Sequence, residues 1–321
     1  MIVITGAAGF IGSCLWENYL ESGEHQLVLV DDWLRPEKQP NFRDKLFHSC
    51  ISRDHFHAWL DQHHEEVHLI YHLGARTDTT ETDTRIFDRL NLHYSMQLWE
   101  QCSRYEIPLI YASSAATYGA GERGYRDDHA LVNHLRPLNP YGVSKNDFDQ
   151  WALQQEKAPP FWAGLKFFNV YGPNEYHKGR MASVIFHTLR QIRSTGTMKL
   201  FRSHRSDFAD GAQSRDFIYV KDVVSICRFL ASHQPESGLY NVGTGEARTF
   251  LDLATLTFRA MQREPRILFV DTPEDIRDTY QYFTEADMQK LRRAGYSREF
   301  YSLERGIHEY VTRYLSREKI W

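Results

Sequence analysis

The chain has 321 residues, more than one hydrophobic core usually serves, so one large domain or two closely joined domains are expected. Its formal net charge of −4, with 25% charged residues, excludes the basic surface that nucleic acids or anionic membranes require. Strand-sized apolar runs, four scattered cysteines and an N-terminus that resembles a strand rather than a signal peptide predict a cytoplasmic protein without membrane spans.

Strand and helix patterns alternate through the first half of the chain. Short apolar runs predict strands, and apolar residues at helical spacing predict helices. In chain order these are strand 2–5, helix 10–20, strand 26–30, helix 56–62, strand 67–73, helix 84–104, strand 108–112, a helix after Pro140 and strand 164–168. Repeated β-α units of this length predict an α/β Rossmann fold with a doubly wound parallel sheet.

The second half alternates less regularly. Its predicted elements are helix 181–192, a polar loop at 202–214, strand 217–220, helix 223–232, strand 239–242, helix 250–261, strand 266–270 and helices near 286–294 and 303–315. We predict that a nucleotide-binding domain of residues 1–168 plus about 215–243 interleaves with a smaller C-terminal substrate domain. That second domain would comprise about 169–214 plus 244–321.

Three glycines lie between the first strand and the first helix. Gly6, Gly9 and Gly12 allow a tight turn and let the backbone approach a pyrophosphate, whose charge the helix N-terminus stabilises. Glycine triplets are common by chance, but this one has strand–turn–helix context and an acid at the end of the second strand. The pattern predicts a nicotinamide dinucleotide site.

Charged residues after the second strand bear on the choice of dinucleotide. An acid at this position, here Asp31 and Asp32, normally hydrogen-bonds the adenosine ribose and favours NAD. Arg35 and Lys38 follow closely and could hold the 2′-phosphate of NADP. The residues themselves therefore leave both cofactors open.

Two further segments are candidates for contact with the cofactor. Leu73-Gly74-Ala75-Arg76-Thr77 ends the third predicted strand, where a turn of mostly small residues can run beside a dinucleotide. Asn91 lies in the long helix, either as an exposed residue or bonded to backbone or water beneath the active site.

Histidines crowd one region of the chain. They are His55, His57, His63, His64 and His68. The stretch reads as a surface helix and loop, and no cysteine or acidic partner completes a ligand set. We therefore predict no metal site.

A tyrosine and a lysine follow Pro140 at helical spacing. Positions i and i+4 lie on one helix face, so Tyr141 and Lys145 point the same way. A nearby ammonium, together with a positive nicotinamide, favours tyrosinate and is expected to lower the phenol pKa. Ser114 follows a predicted strand and can hydrogen-bond the same substrate oxygen. These residues predict hydride chemistry on a substrate hydroxyl.

The motifs together resemble a known family. The glycine turn, Ser113-Ser114-Ala115-Ala116-Thr117-Tyr118-Gly119 and Tyr141-x-x-x-Lys145 are similar to extended short-chain dehydrogenases/reductases that act on sugar nucleotides. Within this NAD-dependent epimerase/dehydratase group, the closer resemblance is to the ADP-L-glycero-D-manno-heptose 6-epimerase family. It is carried by Asn169-Val170-Tyr171-Gly172-Pro173, His177-Lys178-Gly179-Arg180-Met181-Ala182-Ser183 and Phe186-His187.

The resemblance implies a reaction and a cofactor. The family oxidises C6″ of ADP-D-glycero-D-manno-heptose with tightly bound NADP⁺ and returns hydride to the opposite face of the ketone. Two proton-handling groups serve the two orientations, and they match Tyr141 and Lys178 of this chain. Lys145 matches the residue that holds the nicotinamide ribose and tunes the tyrosine. The family also implies a homo-oligomer, usually a pentamer.

Other positions match the family's binding residues. The cofactor positions are Gly6, Gly9, Phe10, Ile11, Gly12, Asp31, Asp32, Lys38, Leu73, Gly74, Ala75, Arg76, Thr77, Asn91, Tyr141, Lys145, Val170 and Lys178. The substrate positions are Ser114, Asn169, Arg180, His187, Phe201, Arg215 and Tyr280. The chain departs from the pattern at Leu73, where an acid is usual, and at Arg180, where a serine is expected.

Two of these residues have simpler explanations without the family. Lys178 would then be a solvated loop charge. Arg215 could clamp a diphosphate bidentately, or it could form a salt bridge with Asp216 or Asp222.

Three other functions occur on the same predicted fold. A sugar-nucleotide 4,6-dehydratase needs an added acid–base pair, and Ala115 and Ala116 occupy the positions where related dehydratases carry it. A UDP-hexose 4-epimerase is the closer alternative and needs no second base, so Lys178 separates it from the heptose mechanism. A dinucleotide-sensing protein without catalysis is disfavoured because such proteins tend to lack the tyrosine–lysine pair.

Overall fold

The chain folds into alternating strands and helices, in a computed structural model that describes residues 1–277 and 280–321. The strands are β1 (Ile2–Thr5), β2 (Leu27–Asp31), β3 (Ser49–Ser52), β4 (Leu69–His72), β5 (Leu109–Ser114), β6 (Trp162–Phe167), β7 (Asn169–Tyr171), β8 (Met198–Phe201), β9 (Ser214–Tyr219), β10 (Gly238–Val242), β11 (Ala247–Thr249) and β12 (Ile267–Val270). The α-helices are α1 (Phe10–Glu21), α2 (Phe56–His63), α3 (Thr84–Phe87), α4 (Tyr94–Arg104), α5 (Pro140–Leu153), α6 (Val184–Thr195), α7 (Val220–His233), α8 (Phe250–Ala260), α9 (Glu274–Arg277), α10 (Gln289–Arg293) and α11 (Leu303–Glu309).

The central sheet has the strand order β10-β6-β5-β4-β1-β2-β3, and every pairing in it is parallel. Strand order therefore reverses between β1 and β4, which opens a crevice at their carboxyl ends. The predicted α/β Rossmann fold with a doubly wound parallel sheet is confirmed.

Both faces of this sheet are buried, which explains why its strands read as continuous apolar runs. Leu27 and Leu29 of β2 belong to the apolar cluster that also contains α1 and α7. Val28 and Val30, which alternate with them, belong to the cluster on the opposite face, with α4 and α5. Since successive side chains of a strand point to opposite faces, one apolar strand supplies both layers.

The strands of the two smaller sheets all follow β6 in the sequence. Strand β9 pairs in parallel with β7 and antiparallel with β11, whereas β12 pairs in parallel with β8. Only Phe168 separates β6 of the central sheet from β7 of the second sheet. The domain division at 168, 215 and 243 remains a prediction, and β9 is a member of the smaller sheet.

Four strands were not predicted, namely β3, β7, β8 and β11. Each has only three or four residues, so the period-two signal is too short to separate from loop. The predicted helix at 84–104 is helical throughout, but it contains a π-helical turn at Asp88–His93 between α3 and α4. Among the described residues, no helix combines the length and apolarity that crossing a bilayer requires.

Candidate functional site

A cleft of about 340 Å³ opens at the carboxyl ends of β1, β2 and β4. It lies at the reversal of strand order, where doubly wound sheets bind dinucleotides. Its lining includes the predicted residues Gly6, Gly9, Phe10, Ile11, Gly12, Asp31, Asp32, Lys38, Leu73, Gly74, Ala75, Arg76, Thr77 and Lys178. The structure therefore gathers residues from four separate stretches of chain into one cleft.

Helix α1 begins at this cleft with an uncapped N-terminus. Its N-cap is Gly9, no side chain accepts a hydrogen bond from its first amides, and its first turn carries no acid. Those free N–H groups and the positive end of the helix dipole suit a pyrophosphate. A Cβ at Gly12 would lie 2.1 Å from the carbonyl oxygen of Gly6, so the turn needs glycine there. These features fit a dinucleotide.

We expect Gly12→Ala to weaken dinucleotide binding by about tenfold or more, because the clash with backbone must displace either the turn or the helix. Isothermal titration with NADP⁺ and NAD⁺ measures the change. Ser22→Ala, at the far end of α1, is the matched control and should leave both affinities unchanged. Wild-type affinity in Gly12→Ala would contradict this account of the turn.

The carboxylate of Asp31 accepts three hydrogen bonds at the end of β2. Its Oδ2 accepts the amide of Ala8 at 2.9 Å, and its Oδ1 accepts the amide of Asp32 at 2.7 Å. Lys38 donates to the same Oδ1 at 2.6 Å. This carboxylate therefore ties the glycine turn to β2.

Three cations line the cleft near this strand end, of which Arg53 was not predicted. Asp32 contacts Arg35 at 3.2 Å and Arg53 at 3.8 Å. Arg53 follows β3 directly, as Asp32 follows β2, so neighbouring parallel strands bring the two residues together. The cluster offers positive charge where an adenosine 2′-phosphate would lie.

Asn91 fixes the segment of residues 73–81 that borders the cleft. It lies in the π-helical turn, is buried, and accepts the amide of Arg76 at 2.8 Å while donating to its carbonyl at 3.0 Å. The same amide nitrogen donates to Ser144 on α5 at 3.0 Å. Of the two interpretations left open, the buried one is correct: Asn91 bonds backbone and joins this segment to α5.

Helix α5 brings Tyr141 toward Ser114. Asn139 caps the helix by accepting the amide of Gly142 at 2.8 Å, and Pro140 occupies its first position. A Cβ at Gly142 would lie 2.8 Å from the carbonyl oxygen of Ala116, so glycine lets α5 approach the turn after β5 closely. The predicted trio of Ser114, Tyr141 and Lys145 is therefore drawn together.

The proton affinities in this trio differ from the expectation. Burial raises the pKa of the Tyr141 phenol, with hydrogen bonding to Ser114 opposing the rise. Lys145 does not contribute to lowering that pKa, and its ammonium donates to the carbonyl oxygen of Ala112 at 2.7 Å. Burial lowers the pKa of Lys145 itself to about 8, against the opposing charge of Asp149. Without cofactor, the phenol is thus kept protonated.

The loop that carries Lys178 is held from three sides. The buried carboxylate of Glu175 accepts the hydroxyl of Ser183 at 2.6 Å and that of Tyr310 at 2.8 Å. Asn174 donates to Ser13 of α1 at 3.0 Å. These contacts anchor the loop that carries Lys178 to α6, to the helical turn that follows α11, and to α1.

Lys178 itself is half-buried at the edge of the cleft. Its Nζ lies 5.3 Å from the centroid of the Phe10 ring. Burial lowers its pKa, and the charge of Glu175 opposes the fall. Farther along the loop, Arg180 reaches across to Asp78 at 3.3 Å. Lys178 is therefore not the fully solvated charge that its sequence alone suggested.

Three predicted substrate residues form one cluster away from the cleft. The rings of Phe201 and Tyr280 are 6.0 Å apart, and the guanidinium of Arg215 lies 5.7 Å from the Tyr280 ring. Arg215 donates to the carbonyl oxygens of Ser214 at 2.9 Å and of Gln281. Within the described residues it makes no salt bridge with Asp216 or Asp222, so that alternative is wrong.

Asp216 and Asp222 bind backbone amides instead. Asp216 accepts the amide of Thr244 at 2.7 Å, and Asp222 accepts that of Tyr301 at 2.8 Å. The guanidinium of Arg215 therefore stands over aromatic rings without a carboxylate partner in the described part of the chain.

The remaining predicted residues lie at other places. Asn91, Ser114, Tyr141, Lys145, Asn169 and Val170 do not line the cleft described above. Asn169 is exposed at the start of β7, and His187 contacts the carbonyl oxygen of Arg180 at 3.3 Å. Two neighbouring residues of the cleft are bonded to these other regions. Arg76 is held by Asn91, which also contacts α5, and Asp78 is held by Arg180 in the loop that carries Lys178.

The histidine-rich stretch serves packing. The rings of His63 and Trp59 stack 4.6 Å apart, and those of His64 and Tyr105 stack 3.9 Å apart. No set of three or more His, Cys, Asp or Glu side chains among residues 1–277 and 280–321 is grouped to hold a metal ion.

Comparison with known proteins extends over almost the whole chain. Residues 2–243 match the profile of the NAD dependent epimerase/dehydratase family. The ADP-L-glycero-D-manno-heptose-6-epimerase of Fusobacterium nucleatum is 45% identical over 99% of both chains. That of Nitratidesulfovibrio vulgaris is 47% identical over 98% of both chains. The crystal structure of the Helicobacter pylori ADP-L-glycero-D-manno-heptose-6-epimerase superposes with a TM-score of 0.82 at 25% identity, covering 97% of this chain and 95% of that one.

Proposed function

Because this chain belongs to the NAD dependent epimerase/dehydratase family, we propose that it epimerises ADP-D-glycero-D-manno-heptose to ADP-L-glycero-D-manno-heptose at C6″. One observation carries the proposal: residues 73–81, which border the dinucleotide cleft, are connected both to the helix that carries Tyr141 and to the loop that carries Lys178. Asn91 links this segment to the helix of Tyr141, and Asp78 links it to the loop of Lys178.

Tyr141 and Ser114 handle one side of the chemistry. The Oγ of Ser114 accepts the amide of Ala116 at 3.1 Å, and its hydroxyl hydrogen-bonds the phenol of Tyr141, so both hydroxyls can meet the same substrate oxygen. Tyr141, as the phenolate, takes the proton of the C6″ hydroxyl when one epimer is oxidised, and in the reverse direction it returns that proton when the ketone is reduced. When bound, the oxidised dinucleotide supplies the hydride acceptor, and its positive ring favours the phenolate.

Lys178 handles the opposite orientation of the sugar. Because its pKa is lowered, a larger fraction of this amine is unprotonated near neutral pH than in an ordinary lysine, and so able to accept a proton. An epimerase that returns hydride to the other face needs a proton-handling group there, and Tyr141 can serve only one. Lys145 would hold the nicotinamide ribose, as the family resemblance implies.

We infer that NADP is preferred over NAD. The carboxylate of Asp31 already accepts hydrogen bonds from Ala8, Asp32 and Lys38, which leaves it less capacity for ribose hydroxyls than a free carboxylate has. Arg35 and Lys38, with Arg53 nearby, instead supply charge for a 2′-phosphate. The homo-oligomer, with a pentamer as its specific form, and the cytoplasmic location likewise remain proposals that rest on the family.

The ADP moiety is assigned to the cluster of Phe201, Tyr280 and Arg215. We expect Arg215→Met to weaken ADP binding by roughly 10- to 100-fold, because a charge-assisted contact to diphosphate is lost. Titration calorimetry with ADP measures it. Arg202→Met, an exposed arginine of the neighbouring loop, is the control. Equal affinity in both variants would place the diphosphate elsewhere.

The decisive experiment supplies the substrate. Purified protein is incubated with ADP-D-glycero-D-manno-heptose, and NMR follows the C6″ proton for the L-glycero epimer. Absorbance at the reduced-nicotinamide band reports transient oxidation. Turnover of UDP-hexoses but not of the heptose would favour a 4-epimerase, and the absence of any change with sugar nucleotides would favour a sensing protein.

A further inference from the structure

A buried carboxylate that the proposed chemistry does not use lies on the catalytic helix. Asp149 follows Lys145 by one turn of α5, and none of its surface is exposed. Its Oδ1 accepts the hydroxyl of Tyr111 at 3.0 Å. Its Oδ2 accepts the hydroxyl of Ser113 at 2.6 Å and the ammonium of Lys166 at 2.7 Å. All three donors lie on strands β5 and β6 of the central sheet, so the carboxylate joins α5 to that sheet.

Its partner Lys166 is equally buried. Lys166 lies on β6 with none of its surface exposed, and it also donates to Thr117 at 2.8 Å. Replacing such a pair by apolar residues is often neutral or stabilising, because taking two charges out of water is costly. Stability alone is therefore a weak reason for an ion pair at this position.

The location suggests a better reason. Tyr111 and Ser113 flank Ala112, whose carbonyl oxygen accepts the ammonium of Lys145. Ser113 also directly precedes Ser114. The carboxylate thus holds the strand on both sides of the residue that orients the lysine, and next to the serine that meets substrate.

We propose that Asp149 is a positioning residue for catalysis: it holds the end of β5 against α5 and supplies the buried negative charge that stabilises protonated Lys145. Its catalytic meaning rests on the proposed function. Asp149 opposes the burial that lowers the pKa of Lys145 to about 8, and it also raises the pKa of Tyr141. Losing the carboxylate would therefore lower the pKa of both groups.

Other titratable or charged groups face this region from each packed element. They are His72 on β4, Tyr111 on β5, Tyr118 in the turn after β5, His129 before α5, Lys166 on β6, Asp88 in the π-helical turn and Asp147 on α5. Burial lowers the pKa of His72 to about 3, so it stays neutral. Burial and Asp88 raise the pKa of Asp147.

The test is to titrate Lys145 directly. The chain has ten lysines, so the side-chain signals of [¹³C]lysine-labelled protein can be followed by NMR, and the spectrum of Lys145→Met assigns the signal. We expect a wild-type pKa of about 8. In Asp149→Asn it should fall by about one pH unit, because the attractive charge that opposes the effect of burial is lost. Asp149→Asn/Lys166→Met should show a fall in the same direction, since it lacks the same carboxylate.

A purely structural role predicts the opposite direction. Loosened packing would admit water and raise the pKa of Lys145 toward its ordinary value, so an unchanged or raised pKa in either variant overturns the proposal. The double variant carries the test if the single variant does not fold. Asp147→Asn, two residues earlier on the same helix, is the control and should leave the titration unchanged.

Activity gives a second, separable readout. With ADP-heptose as substrate, Asp149→Asn should shift the pH dependence of kcat downward while KM stays near the wild-type value. Because the lysine titration needs neither substrate nor turnover, absence of epimerisation in the wild type would reject the proposed function without deciding the role of Asp149. Conversely, normal epimerisation with an unmoved titration would reject only that role.

Discussion

Replacing Tyr141 with phenylalanine is expected to lower kcat for epimerisation by about 10³-fold, the range that loss of a positioned proton-transfer group produces. In the proposed mechanism the phenol meets the C6″ hydroxyl, and the ring that remains keeps the packing against Phe87, whose ring centroid lies 6.5 Å away. Steady-state rates from NMR, with dinucleotide affinity measured in parallel, test the expectation. Affinity should stay within a factor of a few of wild type.

Tyr105→Phe provides the comparison, since that phenol bonds Asp61 at 2.8 Å in a region remote from the cleft. It should retain wild-type kcat. A Tyr141→Phe variant with near-normal kcat and normal dinucleotide affinity would remove the phenol from the mechanism.

Replacing Lys178 with methionine is expected to lower kcat for epimerisation, again by about 10³-fold, while dinucleotide binding persists. Methionine preserves the stem that packs near Phe10 but removes the amine. The loop should keep its place, because its anchors at Asn174 and Glu175 are untouched. Rates are measured by NMR from both epimers, since the two directions use the two groups in opposite order.

Lys199→Met, an exposed lysine on β8, is the matched control and should be fully active. Full epimerisation by Lys178→Met would mean that one group serves both faces. The heptose mechanism with two proton-handling residues would then be wrong, and a 4-epimerase-like turning of the ketone would replace it.

The sequence predicted six of the seven strands of the central sheet, but it missed β3 and three strands of the smaller sheets, for a physical reason. Strands buried on both faces, such as β2, carry a continuous apolar run that needs no context. Strand β3, with the sequence Ser-Cys-Ile-Ser, has one aliphatic residue and takes its conformation from pairing with β2. Tertiary pairing of this kind leaves little trace in the local sequence.

The site divides along the same line. Gly6, Tyr141 and Lys145 lie in short contiguous motifs, and the spacing within each motif is enough to predict how its residues are placed. Arg53 reaches the cleft only because β3 lies beside β2, so missing the strand also meant missing the arginine. Asp149 carries no motif at all, because its partners come from β5 and β6, and only the folded chain reveals them.

The single residue between β6 and β7 constrains how the enzyme can move. Phe168 is pinned to Val242 by a 3.0 Å backbone hydrogen bond, and β9 of the small sheet continues without interruption into α7, which packs on the large one. These short connections restrict relative movement of the two sheets. In the proposed mechanism we therefore expect the sugar, rather than the protein around it, to rotate about its own bonds so that both faces of C6″ can be served.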